Sequence, residues 1–339
     1  MASAAELSVP LTPVTAGPFG TVSQLRRDGS LRHLLTLEGL SLDMIEMLLD
    51  RSQSYVRSLG NRPASNQKLK GVTVANLFTE PSTRTRVSFE LAAKRLGAQV
   101  VNLEVQLSSR VKGESMLDTV YTLESLHVDA FVIRDAEVGV PGLVAAHVAP
   151  HVSVLSAGEA HVAHPTQGLL DALTIYQRKQ RFAGLSVAIV GDIRHSRVAR
   201  SAWQALRTLG VTDLRILAPP ALMPEADEFA GAHRYTDFAA GLEAADVIMM
   251  LRIQKERIRE TDLPDGAQYF AAWGLTEQRL KGARPDAIVM HPQPMNRGIE
   301  IASEVADGPQ SVIRDQVRNG VAVRMAVLAE VLSSRGPNP

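Results

Sequence analysis

Short apolar runs alternate with longer amphipathic runs along most of this chain, and that alternation limits the fold more than any other feature. One amphipathic run places Phe89, Ala92, Ala93 and Leu96 at helical spacing. Strands that alternate with helices predict a parallel sheet covered on both faces. The runs that we interpret as strands are 72–78, 99–103, 130–134, 152–155, 187–190, 214–217, 247–250 and 288–290. The expected fold class is α/β, with two doubly wound parallel-sheet domains linked by interdomain helices.

Length and composition agree with this and exclude several functions. A chain of 339 residues suggests two domains. Lys plus Arg and Asp plus Glu both number 36, so no basic field favours nucleic acid. The absence of Cys excludes disulfides and thiolate catalysis. We find neither an apolar run of membrane-spanning length nor a secretory signal, so we expect a cytoplasmic protein that binds no membrane.

Polar residues follow five of the predicted strands. Parallel α/β sheets bind ligands at the carboxyl ends of their strands, so these clusters are candidates for one shared site. The five clusters are residues 79–86, Arg134, 192–197, 252–254 and 291–294.

Within the 79–86 cluster, residues 80–86 contain three hydroxyls and two arginines between a strand and a helix. A helix N-terminus presents unpaired N–H groups and partial positive charge, which suit a phosphate dianion. The alternative is that Ser82 or Thr83 only caps the helix and that Arg84 and Arg86 are solvated.

The loop 164–167 places His164 and Gln167 after another strand. An imidazole, an amide and the Arg134 guanidinium together match a carbonyl oxygen next to an amino group. Donors aimed at a developing oxyanion are usually the largest electrostatic contribution to acyl-type transfer. A lone histidine is nevertheless more often structural than catalytic.

Two further arginines suit a dicarboxylate. Arg197 opens a helix after one strand, and Arg252 precedes Gln254 after another. Planar guanidinium groups bind carboxylates with two hydrogen bonds. An ion-paired surface helix is the alternative. No G-x-G-x-x-G run follows these strands, which argues against a dinucleotide site. In the 291–294 loop, two prolines leave carbonyl groups free to face a ligand.

Residues 82–86, Ser-Thr-Arg-Thr-Arg, resemble the carbamoyl-phosphate signature of the aspartate and ornithine carbamoyltransferases, and the resemblance extends over roughly residues 31–333. It implies phosphate binding at the signature, carbamoyl contacts from Arg134, His164 and Gln167, and a 108–115 loop that reaches a neighbouring subunit. The implied catalytic residues are Arg84, Thr85, Lys112, Arg134, His164 and Gln167. The implied substrate-binding residues are Ser82, Thr83, Ser108, Arg197, Arg252, Gln254, Gln293 and Pro294.

The resemblance also bears on the acceptor. Ornithine enzymes typically have His-Cys-Leu-Pro where this chain has His291-Pro292-Gln293-Pro294, and Arg252 with Gln254 matches the aspartate pattern. The implied activity is carbamoyl transfer from carbamoyl phosphate to L-aspartate in pyrimidine biosynthesis, without a metal or cofactor. The alternatives are an ornithine-type acceptor and a catalytically silent scaffold subunit.

The chain looks most like the bacterial aspartate carbamoyltransferase catalytic chains that carry an N-terminal extension and associate with dihydroorotase or a dihydroorotase-like chain. This resemblance also implies a homotrimer. Two departures are visible: Val111 stands where the family often has a lysine, and Ala160 where it usually has glycine. Residues 1–29, rich in Ala, Ser, Pro, Thr and Gly, are expected to form an arm, with order starting near Leu31. The expected domains are carbamoyl-phosphate-binding at 30–165, completed by a helix at 314–335, and aspartate-binding at 166–313.

Overall fold

The computed structural model of the chain describes residues 13–15, 21–57, 60–104, 114–254 and 265–333. Near the N-terminus, β1 (Pro13–Thr15) and β2 (Thr21–Ser23) pair antiparallel. Gln24 follows and is buried, and its Oε1 accepts two backbone N–H groups of the segment that comes next. Defined structure therefore begins before Leu31, because a buried amide side chain anchors a segment whose composition suggested a loose arm.

The first sheet is parallel and has four strands. They are β3 (Thr73–Phe78), β4 (Gln99–Glu104), β5 (Ala130–Asp135) and β6 (Ser153–Glu159). Their order is β4-β3-β5-β6. β6 continues beyond residue 155, the expected end, because pairing with β5 extends to Glu159 although residues 156–159 lack β-branched side chains.

The second sheet is also parallel and has five strands. They are β7 (Ser186–Val190), β8 (Asp213–Leu217), β9 (His233–Tyr235), β10 (Val247–Met250) and β11 (Ile288–Met290). Their order is β11-β10-β7-β8-β9. Sequence analysis missed β9, since this edge strand is short and partly exposed and lacks an apolar run.

Helices cover the faces of both sheets. They are α1 (Leu42–Tyr55), α2 (Thr83–Arg95), α3 (Met116–Ser125), α4 (Val140–His147), α5 (Pro165–Lys179), α6 (Arg197–Thr208), α7 (Phe238–Leu242), α8 (Gly266–Trp273), α9 (Glu277–Leu280), α10 (Ser303–Ala306) and α11 (Ile313–Ser333). The two parallel-sheet α/β domains that the sequence predicts are confirmed. In the part of the chain that the structure describes, no helix has the length and apolar character of a membrane span.

Two helices join the domains. α5 begins at Pro165, because proline suits the first turn of a helix, where an N–H has no partner. α11 follows the second sheet and returns to the first domain, where Val323, Leu328 and Leu332 join the core that contains Phe89. The two helices also contact each other, so residues on their shared face lie beneath the cleft between the domains.

Candidate active site

A cleft of about 530 Å³ lies between the two domains, at the carboxyl ends of strands from both sheets. Polar clusters from five strand ends meet there, as the topology predicts for parallel sheets. The predicted site residues that line it are Ser82, Thr83, Arg84, Thr85, Arg134, His164, Gln167, Arg197, Arg252, Gln254, Gln293 and Pro294. Ser108 and Lys112 lie outside the described residues.

The N-terminus of α2 forms one wall of the cleft. Ser82 is the N-cap residue, but its side chain makes no capping hydrogen bond, which argues against the alternative that it acts only as a cap. Thr85 is buried in the first turn, whereas Arg84 is exposed toward the cleft. Burial, and then the positive charge of Arg252, lower the pKa of the Arg84 guanidinium. The helix start thus offers hydroxyls, N–H groups and a cation, beside a second cation from the other domain.

Glu80 is a site residue within the 79–86 cluster to which sequence analysis assigned no role. Its Oε2 accepts a hydrogen bond from Nη2 of Arg197 at 2.8 Å and lies 3.2 Å from Nη2 of Arg134. One carboxylate therefore pairs with guanidinium groups from both domains. The role of Glu80 was predictable in principle, because an acidic residue next to several predicted arginines can balance their positive charge.

Gly158 allows these two arginines to approach each other. A Cβ atom on this residue would lie 2.9 Å from Nη1 of Arg134 and 3.1 Å from Cζ of Arg197. Its φ of +124° also disfavours any other residue. The close guanidinium groups and the positive φ both favour glycine at this position of β6.

His164 precedes α5 and is buried, and its backbone N–H donates to Oγ of Ser201 at 2.9 Å. Burial, and then the positive charges of Arg324, Arg197 and Arg134, hold the pKa of the imidazole well below the usual 6.5. The ring is therefore neutral at physiological pH. A neutral imidazole next to Arg134 can donate a hydrogen bond to a carbonyl oxygen without adding another charge.

Gln167 joins a buried network that the sequence analysis did not find. Its Nε2 donates to Oδ1 of Asp171 at 3.0 Å, and Nε2 of Gln316 donates to the same oxygen at 2.8 Å. Oε1 of Gln316 accepts the backbone N–H of His291 at 2.9 Å. The spacing of Gln167 and Asp171 on one helix face was a visible signal, but Gln316 is distant in sequence.

In the second domain, Asp192 connects two loops of the cleft. Its Oδ2 accepts the backbone N–H of Gln254 at 3.1 Å, and its Oδ1 lies 2.8 Å from Nδ1 of His195. Nη2 of Arg252 donates to Oε1 of Gln254 at 3.1 Å. The loops after β7 and β10 are thus held together, with Arg197 and Arg252 both on the cleft.

The 291–294 loop closes the cleft on the α11 side. Nδ1 of His291 accepts the backbone N–H of Gln293 at 2.9 Å. Gln293 has a φ of +58°, and its bond to Pro294 is cis. All four residues of the loop line the cleft.

The lining of the cleft is strongly cationic. Arginines outnumber carboxylates among its described residues, where Glu80 is the acid and the arginines are Arg84, Arg134, Arg197, Arg252 and Arg324. Within the described ranges, no three His, Cys, Asp or Glu side chains are grouped as a metal site would need. The arrangement suits small ligands that carry several negative charges.

Known proteins share this architecture. Residues 32–177 match the family described as aspartate/ornithine carbamoyltransferase, carbamoyl-P binding domain, and residues 183–331 match its Asp/Orn binding domain. Aspartate transcarbamoylase from Trypanosoma cruzi, solved with aspartate and phosphate, is 30% identical, with 89% of this chain and 95% of that chain covered and a TM-score of 0.77. Ornithine carbamoyltransferase from Pyrococcus furiosus is also 30% identical, with 90% and 98% covered and a TM-score of 0.79.

Proposed function

The chain belongs to the aspartate/ornithine carbamoyltransferase family, and on that premise we propose that its acceptor is L-aspartate. The products are N-carbamoyl-L-aspartate and phosphate, as in pyrimidine biosynthesis. The observation that best supports this acceptor is the pair of guanidinium groups, Arg197 and Arg252, on the second-domain side of the cleft. Two such groups match the two carboxylates of aspartate.

The phosphate is assigned to the N-terminus of α2. Ser82, Thr83, Arg84 and Thr85 surround the place where helix N–H groups point outward, so a dianion there gains hydrogen bonds and charge compensation. In this proposal, Ser108 and Lys112 of a neighbouring subunit complete the phosphate site.

The carbamoyl group is assigned to Arg134, His164 and Gln167. Arg134 and the neutral His164 donate to the carbonyl oxygen, whose negative charge grows as the amine attacks. The aspartate amine forms a bond to the carbonyl carbon, and the bond from that carbon to the phosphate oxygen breaks. The leaving phosphate accepts the proton that the amine loses. Backbone oxygens near Gln293 and Pro294 hold the amine and the carbamoyl amino group.

Ornithine would need different charged groups in the second domain. Its amine-bearing side chain has no second carboxylate, so a site for it does not need two arginines. Glu80 is the cleft acid in the described part of the chain, and it already pairs with Arg134 and Arg197. Gln254, held by Arg252 and Asp192, supports a preformed dicarboxylate site.

The acceptor assignment is tested by Arg252→Met in steady-state assays. We expect the aspartate KM to rise at least ~10-fold, since one charged hydrogen-bonding group is lost. Carbamoyl-phosphate affinity, measured by calorimetry, should change little. Arg284→Met is the matched control, because Arg284 pairs with Asp246 outside the cleft lining. Loss of carbamoyl-phosphate affinity with an unchanged aspartate KM would contradict the assignment.

We also propose a homotrimer, a cytoplasmic location, and docking of residues 1–29 to a dihydroorotase or dihydroorotase-like chain. These proposals rest on the resemblance and on an extension that precedes the catalytic domains. Sedimentation of the purified full chain tests the trimer, and repeating it with such a partner tests the docking. A monomeric chain, or a mass that the partner leaves unchanged, would contradict them.

A further inference from the structure

Two buried hydrogen bonds, one within α5 and one from α11 to α5, meet at Oδ1 of Asp171, and a third joins α11 to the loop after β11. We propose that Asp171, acting with Gln316, is a positioning residue that determines which end of the Gln167 amide faces the substrates and holds the 291–294 loop in register with it. Asp171 lies beneath the cleft lining, so it acts through these neighbours and does not touch a substrate.

The polarity of the network follows from Asp171. A carboxylate oxygen accepts hydrogen bonds, so both glutamines must turn their NH2 groups toward Oδ1. Their Oε1 atoms then face the other way. For Gln316 this orientation has independent support, because its Oε1 accepts the backbone N–H of His291. For Gln167 the same constraint presents Oε1 to the cleft.

That orientation has a consequence for the substrate, and this step rests on the proposed function. Oε1 of Gln167 is an acceptor and therefore selects the amino group of a carbamoyl substrate. The carbonyl oxygen is left to the donors Arg134 and His164. A flipped Gln167 amide would place two donors against each other, because the carbamoyl amino group is also a donor.

The network is buried and has little freedom to rearrange. Asp171 and Gln316 are 1% and 3% exposed. Arg324 is the charged residue that faces Asp171, and its Nη1 donates to the Gly320 carbonyl. Burial raises the pKa of Asp171 to about 7. Oδ2 has no hydrogen-bond partner among the described residues, so a proton can bind there while Oδ1 still accepts both N–H groups.

A second polar bond between the same helices provides a matched control. Nδ2 of Asn319 donates to Oγ1 of Thr174 at 2.9 Å, one turn away from the Gln316–Asp171 bond. Asn319 is fully buried and is absent from the cleft lining. Asn319→Leu removes this bond and the bond from Nδ2 to Oε1 of Gln177, so it weakens the α5–α11 contact without removing a hydrogen bond of Gln167 or His291.

The test compares Asp171→Leu, Gln316→Met and Asp171→Asn with Asn319→Leu in the full chain. The acceptor is the one that the wild-type chain carbamoylates. We expect kcat to fall at least ~10-fold in the first two variants, because a displacement near 1 Å can cost about 100-fold. The Kd for inorganic phosphate, from calorimetry, should stay within ~3-fold. Asp171→Asn keeps an oxygen that can accept both N–H groups and should retain most of the activity.

The outcomes separate the two proposals. Wild-type transfer to ornithine and not to aspartate would contradict the proposed acceptor and leave the comparison of variants valid. Folded Gln316→Met and Asp171→Leu proteins with kcat within ~2-fold of wild type would overturn the positioning role. An equal loss of kcat in Asn319→Leu would also overturn it, since general weakening of the helix pair would then explain the effect.

Discussion

At the scale of single residues, burial of the Asp171 carboxyl makes it sensitive to pH. Its pKa rises from an ordinary 3.8 to about 7, mainly because burial disfavours the charged form. The folded protein therefore binds a proton between these values that the unfolded chain does not bind. The stability that this proton contributes is present below pH ~4 and is lost as the pH rises through 7.

Asp171→Asn should remove this contribution. Relative to the variant, wild type should lose stability as the pH rises from about 4 to about 7, because in that window the carboxyl ionises in the unfolded chain while the folded protein keeps it protonated. Urea unfolding of both proteins at several pH values measures the difference. Parallel stability curves across that window would show that Asp171 does not titrate there.

Ala160 is a second residue that lowers the stability of the fold, in this case through backbone strain. It is buried with a φ of +39°, and its N–H donates to the Asp135 carbonyl at 2.8 Å. A non-glycine residue in this region costs roughly 1–2 kcal/mol, partly offset because glycine has more freedom when unfolded. The alanine therefore accepts a conformation that glycine adopts without strain.

Ala160→Gly should accordingly stabilise the fold by about 0.5–1 kcal/mol. The control is Ala183→Gly, at an exposed position without a positive φ, where we expect a loss of about 0.4–1 kcal/mol. Urea midpoints at one protein concentration measure both. A lower midpoint for Ala160→Gly would mean that its side-chain contacts outweigh the backbone strain.

Sequence analysis missed those site residues whose role depends on how distant parts of the chain pack together. Arg134, His164 and Arg252 were predicted because they follow strands, and the structure brings them to one cleft. Glu80 was identified only as part of a motif, and its pairing with two distant arginines depends on how the domains meet. Gln316 belongs to no recognisable sequence motif. Its role becomes visible only because α11 returns to the first domain.

At the scale of elements, the start of α2 concentrates the proposed phosphate contacts. Its apolar face, with Phe89 and Ala92, packs in the core, while Arg84 is exposed toward the cleft. The fold and the ligand site thus use different faces of one helix. Most helix and strand positions were predictable from the spacing of their apolar residues. The strand β9 has no apolar pattern, and α4 contains Pro and Gly, so neither was predicted.

Arg84→Ala should therefore abolish turnover without unfolding the protein. We expect kcat/KM for carbamoyl phosphate to fall at least ~100-fold, since a charge that faces the phosphate is lost. Lys94→Ala, at the other end of the helix, is the control and removes only an exposed pair with Glu90. Near-normal kcat/KM in a folded Arg84→Ala protein would exclude the phosphate role.

At the scale of the whole molecule, the two domains supply complementary halves of the site. Arg134 and His164 come from the first and Arg197 and Arg252 from the second, around one cleft. The proposed trimer adds Lys112 from a neighbour, and that contribution is testable without a structure of the assembly. Such a site exists only where an intact Arg84 meets an intact neighbouring Lys112.

Arg84→Ala and Lys112→Ala chains should be inactive alone and recover activity when they are dissociated, mixed equally and reassembled. A cyclic trimer with random assembly restores roughly a quarter of the sites, because each interface draws its two chains independently. Transfer assays before and after mixing measure the recovery. No recovery from folded, confirmed mixed trimers would mean that Lys112 does not act across the interface.

The most direct test of the central claim is a competition between acceptors. The full chain receives ¹³C-labelled carbamoyl phosphate with equal concentrations of L-aspartate and L-ornithine, and ¹³C NMR identifies the product against a protein-free control. We predict accumulation of N-carbamoyl-L-aspartate with equimolar phosphate, because Arg197 and Arg252 match two carboxylates. Accumulation of carbamoylated ornithine, or only the hydrolysis seen without protein, would contradict the account.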